Sequence, residues 1–245
     1  MAFKNTITQK AEDIGIKSLN KLNLPNALLI IPDGNGRWAK NFGLSIYEGH
    51  KKGAEVFAKI LDTFLKLDIK VLGAWGFSED NWKRPQDEID KIMEVIEGVI
   101  NGNLQKLMTN NIKFVVLGNK DKINNYPSLL RTIENAVSKT SENNGKTLAL
   151  FVDYGERFAL ETFAKARAEY KDPGTYALLS TINEGLPLFD MVLRTSGEQR
   201  MSGFGPLASL AEFVSVKKNL PELETVDIVN ALREFSKRQR RLGGR

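Results

Sequence analysis

The chain has 245 residues, 42% of them apolar, and a formal charge of +5, enough for one large α/β domain or two small ones. It contains no cysteine and a single histidine, His50, which excludes disulfides, thiolate metal sites, cysteine nucleophiles and a multi-histidine zinc centre. Its basic residues are spread along the chain and densest at 237–241, the distribution of solvated helix faces, so no nucleic-acid partner is expected.

Residues 1–26 mix Lys, Asp, Glu and Asn with scattered apolar residues and lack the continuous apolar core of a signal peptide. An amphipathic helix is predicted over 8–22, stopped by Asn23-Leu24-Pro25. No apolar stretch approaches the roughly 20 residues that span a bilayer. A soluble, cytoplasmic protein is expected, with at most a peripheral attachment to membrane.

The apolar run 27–31 predicts a strand, and Asp33-Gly34-Asn35-Gly36-Arg37-Trp38 after it reads as a turn. A helix follows over 53–67, with Val56, Phe57, Ile60, Leu61, Phe64 and Leu65 on one stripe. Strand 70–77 leads into Ser78-Glu79-Asp80-Asn81-Trp82-Lys83-Arg84-Pro85, and a longer helix is predicted over 89–108. Strand 112–117, helix 129–137 and strand 147–152 come next, the last leading into Asp153-Tyr154-Gly155-Glu156-Arg157. Helix 157–170, strand 189–193, a weaker strand 212–216 and helix 226–241 complete the chain. This alternation predicts a single α/β domain with a mostly parallel central sheet covered by helices. Ligands of such sheets gather beyond the carboxyl ends of the strands.

Four of those ends carry chemistry. At the first, glycines let backbone N–H groups converge on an anion, and Arg37 adds a planar fork that fits phosphate oxygens. Asp33 cannot bind phosphate directly, since both are negative; its useful role is to hold a divalent cation that bridges to phosphate. A phosphorylated substrate, most simply a diphosphate, with Mg²⁺ is therefore expected. At the last, Arg194 and Arg200, with Thr195, Ser196, Gly197 and Ser202, can surround a second diphosphate. No Gly-x-x-x-x-Gly-Lys-Ser/Thr loop, Gly-x-Gly-x-x-Gly fingerprint, Asp-Asp-x-x-Asp cluster, Gly-x-Ser-x-Gly or His-Glu-x-x-His occurs.

Together these residues resemble the cis-prenyltransferases, the family of undecaprenyl diphosphate synthase. The matches are Asp33-Gly34-Asn35-Gly36-Arg37-Trp38-Ala39, Glu48-Gly49-His50-Lys51, Phe77-Ser78-x-Asp80-Asn81-Trp82-Lys83-Arg84-Pro85, Arg194 to Ser202, Ala211-Glu212 and the terminal 240–244. They cover the chain from about residue 26 on, leaving 1–25 as an N-terminal helical segment outside the likeness. The resemblance implies that an allylic diphosphate ionises, C4 of isopentenyl diphosphate attacks, and a proton leaves C2 to give a Z double bond. It makes Asp33 the essential Mg²⁺ ligand, with Gly34, Asn35, Gly36 and Arg37 cradling the allylic diphosphate. Asn81 matches the position of proton removal, though a neutral amide is a poor base and a relay through it to a carboxylate or diphosphate oxygen is easier to accept. Trp38, His50, Ser78, Asp80, Trp82 and Arg84 match substrate-contacting positions. Arg194, Arg200 and Ser202 would hold isopentenyl diphosphate, and Glu212 would help the metal from a neighbouring strand. Arg241 and Gly243 match a terminal Arg-x-Gly that in relatives reaches the diphosphate across a homodimer interface. The growing chain needs an apolar tunnel, which helices 53–67 and 89–108 could line; a lipid product could bring peripheral membrane contact.

The chain departs from the family pattern at several places. Ile46 stands where many relatives carry an arginine, Pro32 replaces a methionine, Asp80 stands for glutamate, and the segment from Gly203 to Glu212 is one residue short. Pro32 and the 201–207 stretch are similar to the branch that joins two dimethylallyl units head-to-middle, as in lavandulyl-type synthases. That branch departs around 78–85, which this chain keeps, so ordinary chain elongation is favoured. A non-catalytic accessory subunit is disfavoured, because such subunits usually lose the Asp-Gly-Asn-Gly-Arg segment.

Overall fold

The computed structural model describes residues 15–169 and 174–240. Six strands form one sheet: β1 (Ala27–Ile31), β2 (Val71–Ser78), β3 (Lys113–Leu117), β4 (Thr147–Tyr154), β5 (Met191–Arg194) and β6 (Glu212–Ser215). Their order is β3-β4-β2-β1-β5-β6 and every neighbouring pair is parallel, so all carboxyl ends share one rim. All six predicted strands are present, and the expected single α/β domain with a parallel sheet is the fold observed.

Among the described residues seven helices follow β1: α1 (Asn35–Asn41), α2 (Ile46–Leu65), α3 (Gln86–Thr109), α4 (Pro127–Lys139), α5 (Glu156–Glu169), α6 (Thr175–Ile182) and α7 (Thr225–Ser236). A sheet covered on both faces buries every residue of β1, which is why that strand is an unbroken apolar run. Its side chains still alternate. Leu28 and Ile30 join the core under α2, α3, α4 and α7, while Ala27, Leu29 and Ile31 join a second, aromatic core beneath α5. That second core stacks Phe151 edge-on to Tyr154, Phe189 and Phe204.

Of the predicted N-terminal helix, 15–19 is helical, with Ile16 and Leu19 buried in the first core; 8–14 lies outside the described residues. Helix α7 ends at Ser236 rather than 241.

Two differences from the predicted elements bear on the site. The segment after β1 forms helix α1, where a turn was expected. Gly34 starts it in the left-handed region at φ +95°, and a Cβ there would lie 2.0 Å from Ser196 Oγ. Its other end closes when the Leu44 N–H donates to Ala39 O at 2.9 Å. Helix α2 begins at Ile46 rather than 53, because Ser45 and Glu48 form a capping box: the Ser45 N–H donates to the Glu48 carboxylate at 2.7 Å. Within α2, a Cβ on Gly53 would lie 2.3 Å from Asn35 Oδ1, so only glycine lets α1 pack this close. The last carbonyls of α2 are capped from β4's side by Lys146, whose Nζ donates to Phe64 O at 2.7 Å and to Leu67 O. Burial, reinforced by nearby Lys70, pushes this ammonium down to about 8.

Candidate active site

Asp33 lies two residues beyond β1, and Arg194 pairs in register with Ile31 at the end of β5. The two strand ends are stitched together by the buried Thr195. Its hydroxyl accepts the Asp33 N–H at 2.7 Å and donates to the Asp33 carbonyl at 2.7 Å. With its backbone fixed, the Asp33 carboxylate takes Arg37 on Oδ1 at 2.7 Å and Arg194 on Oδ2 at 2.9 Å. Burial pushes this carboxyl up, but hydrogen bonds and charge from Arg194 and Arg37 outweigh it and hold Asp33 below its usual range. The residue is ionised at neutral pH.

Arg194 is only 5% exposed, and its guanidinium also donates to Ser202 Oγ at 2.7 Å and to the Arg200 carbonyl. Arg37 reaches on to Glu198 at 2.9 Å, and Glu198 also pairs with Arg200. The network therefore sets three guanidinium groups against two carboxylates and keeps an excess of positive charge. The first-turn N–H groups of α1 have no side-chain cap. These backbone donors and the arginines share one wall. Sequence reasoning misses the stitching by Thr195 and the bridging by Glu198; their position directly after a strand end was the available signal.

The opposite wall is the 3-10 turn Glu79–Lys83 and the start of α3. The Ser78 N–H donates to Asn81 Oδ1 at 2.9 Å, so the amide oxygen of Asn81 is already engaged. Asp80 pairs with Lys83 at 2.6 Å and Arg84 with Glu88 at 2.8 Å. Together with Asp33, Arg194 and Ser202, the residues Ser78, Asp80, Asn81 and Arg84 line one cleft of about 290 Å³. Asn35 and His50 bound it from α1 and α2, and the Asn35 amide donates to His50 Nδ1 at 3.3 Å. Behind Pro32, Asn35 and His50 lies an apolar cavity walled by Phe57, Ile92, Ile96 and Leu150.

Not every expected site residue is brought here. Glu212 opens β6 level with Met191 and hence with Leu28, five residues short of Asp33. At about 3.3 Å per residue that is roughly 16 Å along the strand. Its carboxylate is paired with Arg238 at 3.1 Å, so within one chain it does not join Asp33 in holding a metal. Trp38 packs on Phe42 at 5.0 Å between ring centroids, and Trp82 packs on Phe77 at 4.9 Å, away from the cleft. Arg200 is largely exposed on Glu198. Arg241 and Gly243 lie outside the described residues.

Burial, then the charge of Arg84, pushes the His50 imidazole down to about 4 from 6.5. His50 is thus neutral in the folded protein at pH 7. Between pH 6.5 and 4 the unfolded chain binds a proton that the fold refuses, so this contribution to stability is complete above 6.5 and declines as pH falls toward 4. We expect His50→Gln to lessen the drop in thermal midpoint between pH 6.5 and 4; an unchanged drop would contradict the assignment.

The parallel α/β sheet with a doubly arginine-bridged aspartate at its carboxyl rim is an enzyme fold, and comparison with known proteins gives the family. The family model for undecaprenyl diphosphate synthase, Prenyltransf, matches residues 31–243. An isoprenyl transferase of Bacillus subtilis is 33% identical over 98% of this chain and 96% of its own length. One from Geobacter sulfurreducens is 36% identical over 90% of this chain and 93% of its own. Among solved structures, lavandulyl diphosphate synthase from Lavandula x intermedia, crystallised with dimethylallyl diphosphate, superposes with TM-score 0.83 at 28% identity, covering 90% of this chain and 98% of that one. A probable undecaprenyl diphosphate synthase from Campylobacter jejuni gives 0.74 at 25%, covering 91% and 100%. The chain belongs to the undecaprenyl diphosphate synthase family and is a prenyltransferase of isoprenoid biosynthesis.

Proposed function

We propose that the chain condenses isopentenyl diphosphate with an allylic prenyl diphosphate in a Mg²⁺-dependent reaction, giving a Z-polyprenyl diphosphate. The observation that carries this reading is the ionised Asp33 carboxylate held between Arg37 and Arg194 at the mouth of a cleft backed by an apolar cavity. The allylic diphosphate takes over Arg37 and the α1 amides, and its hydrocarbon enters the cavity between α2 and α3. That cavity shares Phe57, Val99 and Leu150 with a small second apolar pocket toward Leu107 and Phe114, which supports a path for the growing chain in this direction.

The donor set fits a metal shared with substrate oxygens. Among the described residues no three His, Cys, Asp or Glu side chains cluster, so the protein offers no closed cage. One ionised carboxylate with free lone pairs suits Mg²⁺, which is commonly held by one or two carboxylates and substrate phosphate oxygens. Asp33 would hold the ion, whose chemistry there would be charge neutralisation of the leaving diphosphate. The chain's own residues do the rest. Arg37 stabilises the leaving oxygens as the C1–O bond breaks and diphosphate departs with the electron pair. Arg194 and Ser202 hold isopentenyl diphosphate, with Arg200 leaving Glu198 to join them, so that its C4 forms the new bond to C1. The C2 proton then leaves to a diphosphate oxygen, with Asn81, whose own oxygen is tied to Ser78, orienting that transfer.

The reading includes a homodimer that brings the terminal Arg241 and Gly243 to the site. It also includes contact with the membrane surface: Phe42, Leu44 and Ile46 are exposed beside the cleft, with Lys40 and Lys51 nearby. Among the described residues no helix is long and apolar enough to cross a membrane.

The test is incubation of the purified chain with geranyl or farnesyl diphosphate, labelled isopentenyl diphosphate and Mg²⁺. A labelled, extractable product that disappears on chelation is expected, and no product would defeat the reading. The likeness to lavandulyl diphosphate synthase makes head-to-middle coupling the second reading. A branched product from dimethylallyl diphosphate alone, identified by mass spectrometry, would select it.

A further inference from the structure

Behind the turn that carries Asn81 lie two buried polar atoms of complementary kind, neither with a hydrogen-bond partner: the indole Nε1 of Trp82 and Oδ2 of Asp153. Leaving a buried donor and a buried acceptor unpaired is costly, and native structures seldom do so without a reason. Asp153 is 3% exposed and sits at φ +51°, a left-handed conformation rare for a residue other than glycine. The ladder explains how it gets there. Trp75 pairs with Phe151, Phe77 with Val152 and Ser78 with Tyr154, so Gly76 bulges from β2 and Asp153 from β4. Bulges beside a cleft re-aim side chains.

The pairing of Ser78 with Tyr154 sets the start of this turn beside Asp153; burial pushes the Asp153 carboxyl above its usual range, while the indole N–H of Trp82 favours its ionised form. Lys122 also favours that form, while Glu79 and Asp121 oppose it. The ring itself is fixed by packing: edge-on to Phe77, 6.2 Å from Tyr126 between centroids, and with Lys122 Nζ 5.2 Å from its centroid. Trp82 is therefore the inward anchor of the same turn whose Asp80 and Asn81 line the cleft.

We propose that Asp153 is a positioning residue: its carboxylate is the acceptor onto which the Trp82 indole N–H closes, and that tie sets the 79–83 turn, and with it Asn81 and Arg84, over the cleft. The inference rests on the assignment of the cleft above, and replaces the substrate contact expected of Trp82 by an indirect role. It needs no change of protonation, only a donor and an acceptor held by a bulge and an aromatic pocket.

Three substitutions separate the tie from packing and backbone. Trp82→Phe keeps an aromatic ring and removes the N–H. Asp153→Gly keeps the left-handed backbone and removes the acceptor. Asp153→Asn retains an acceptor oxygen on a residue that tolerates this conformation. In the absence of substrate, amide hydrogen exchange across 79–84 is expected to speed up about tenfold in Trp82→Phe and Asp153→Gly, and to stay near wild type in Asp153→Asn. In the prenyl transfer assay the first two should each lower kcat about tenfold, with the double variant no worse than either, because both break one tie. Unchanged exchange in Trp82→Phe, multiplicative losses in the double variant, or Asp153→Asn as impaired as Asp153→Gly would each overturn the proposal. The exchange measurement needs no substrate, so it decides the tie even if the wild-type chain fails the activity test and the functional reading falls.

Discussion

Asp33→Asn is expected to lower turnover by roughly three orders of magnitude while leaving the circular dichroism spectrum and thermal midpoint close to wild type. The substitution is nearly isosteric, and the amide oxygen it introduces could still accept from one arginine. What disappears is the negative charge of Asp33, the carboxylate that lies between Arg37 and Arg194 at the strand rim. On the proposed mechanism a metal would then lack an anionic protein ligand there, leaving the departing diphosphate to the arginines alone. The fold survives because residue 33 keeps its backbone bonds to Thr195, and the buried Arg194 keeps Ser202 and the Arg200 carbonyl. Raising Mg²⁺ should recover little, since the loss lies in the ligand rather than in occupancy by a weakened site. Turnover within tenfold of wild type would remove the metal role from Asp33.

Arg194→Lys is expected to raise the KM for isopentenyl diphosphate by about a hundredfold, roughly 2–3 kcal/mol of lost transition-state and substrate binding. The KM for the allylic substrate should change much less. A guanidinium in this position reaches Asp33, Ser202 and the Arg200 carbonyl at once, and a lysine ammonium on a flexible stem cannot hold that fork. Lysine is the informative replacement because it preserves the charge that pairs with Asp33. Arg194→Ala would leave Asp33 with Arg37 alone and the Arg200 carbonyl without its donor, costing about 1–3 kcal/mol of stability and confounding the kinetics. Equal rises in both KM values would mean that Arg194 serves the shared network rather than one substrate.

Much of this architecture was legible in the residues, for identifiable reasons. The strands announce themselves because a sheet covered on both faces demands unbroken apolar runs, and β1 is such a run from end to end. The rim was legible because polar residues follow four of those runs directly. Helix α1 was not: Gly34, Asn35 and Gly36 have poor helix propensity, and the helix stands through packing on α2, which a single window of sequence does not contain. The start of α2 was readable in Ser45-x-x-Glu48, yet the apolar stripe begins only at Val56 and drew the boundary too late. Glu212 shows a different limit. Its place in the family motif puts it on the right strand, but only the register of β6 on β5 reveals that it sits at the far end. Trp82 shows a third: the motif says that a tryptophan belongs in the turn, while Phe77 and Tyr126 decide that it faces inward.

What Asp33 does when substrate arrives is tested directly by a crystal structure with a non-cleavable allylic thiodiphosphate and Mg²⁺. The predicted result is a metal ion joining the Asp33 carboxylate to the diphosphate, with Arg37 moved from Asp33 onto diphosphate oxygens and the hydrocarbon lying between α2 and α3. A diphosphate bound elsewhere, with Asp33 still bridging Arg37 and Arg194 and no metal beside it, would contradict the account.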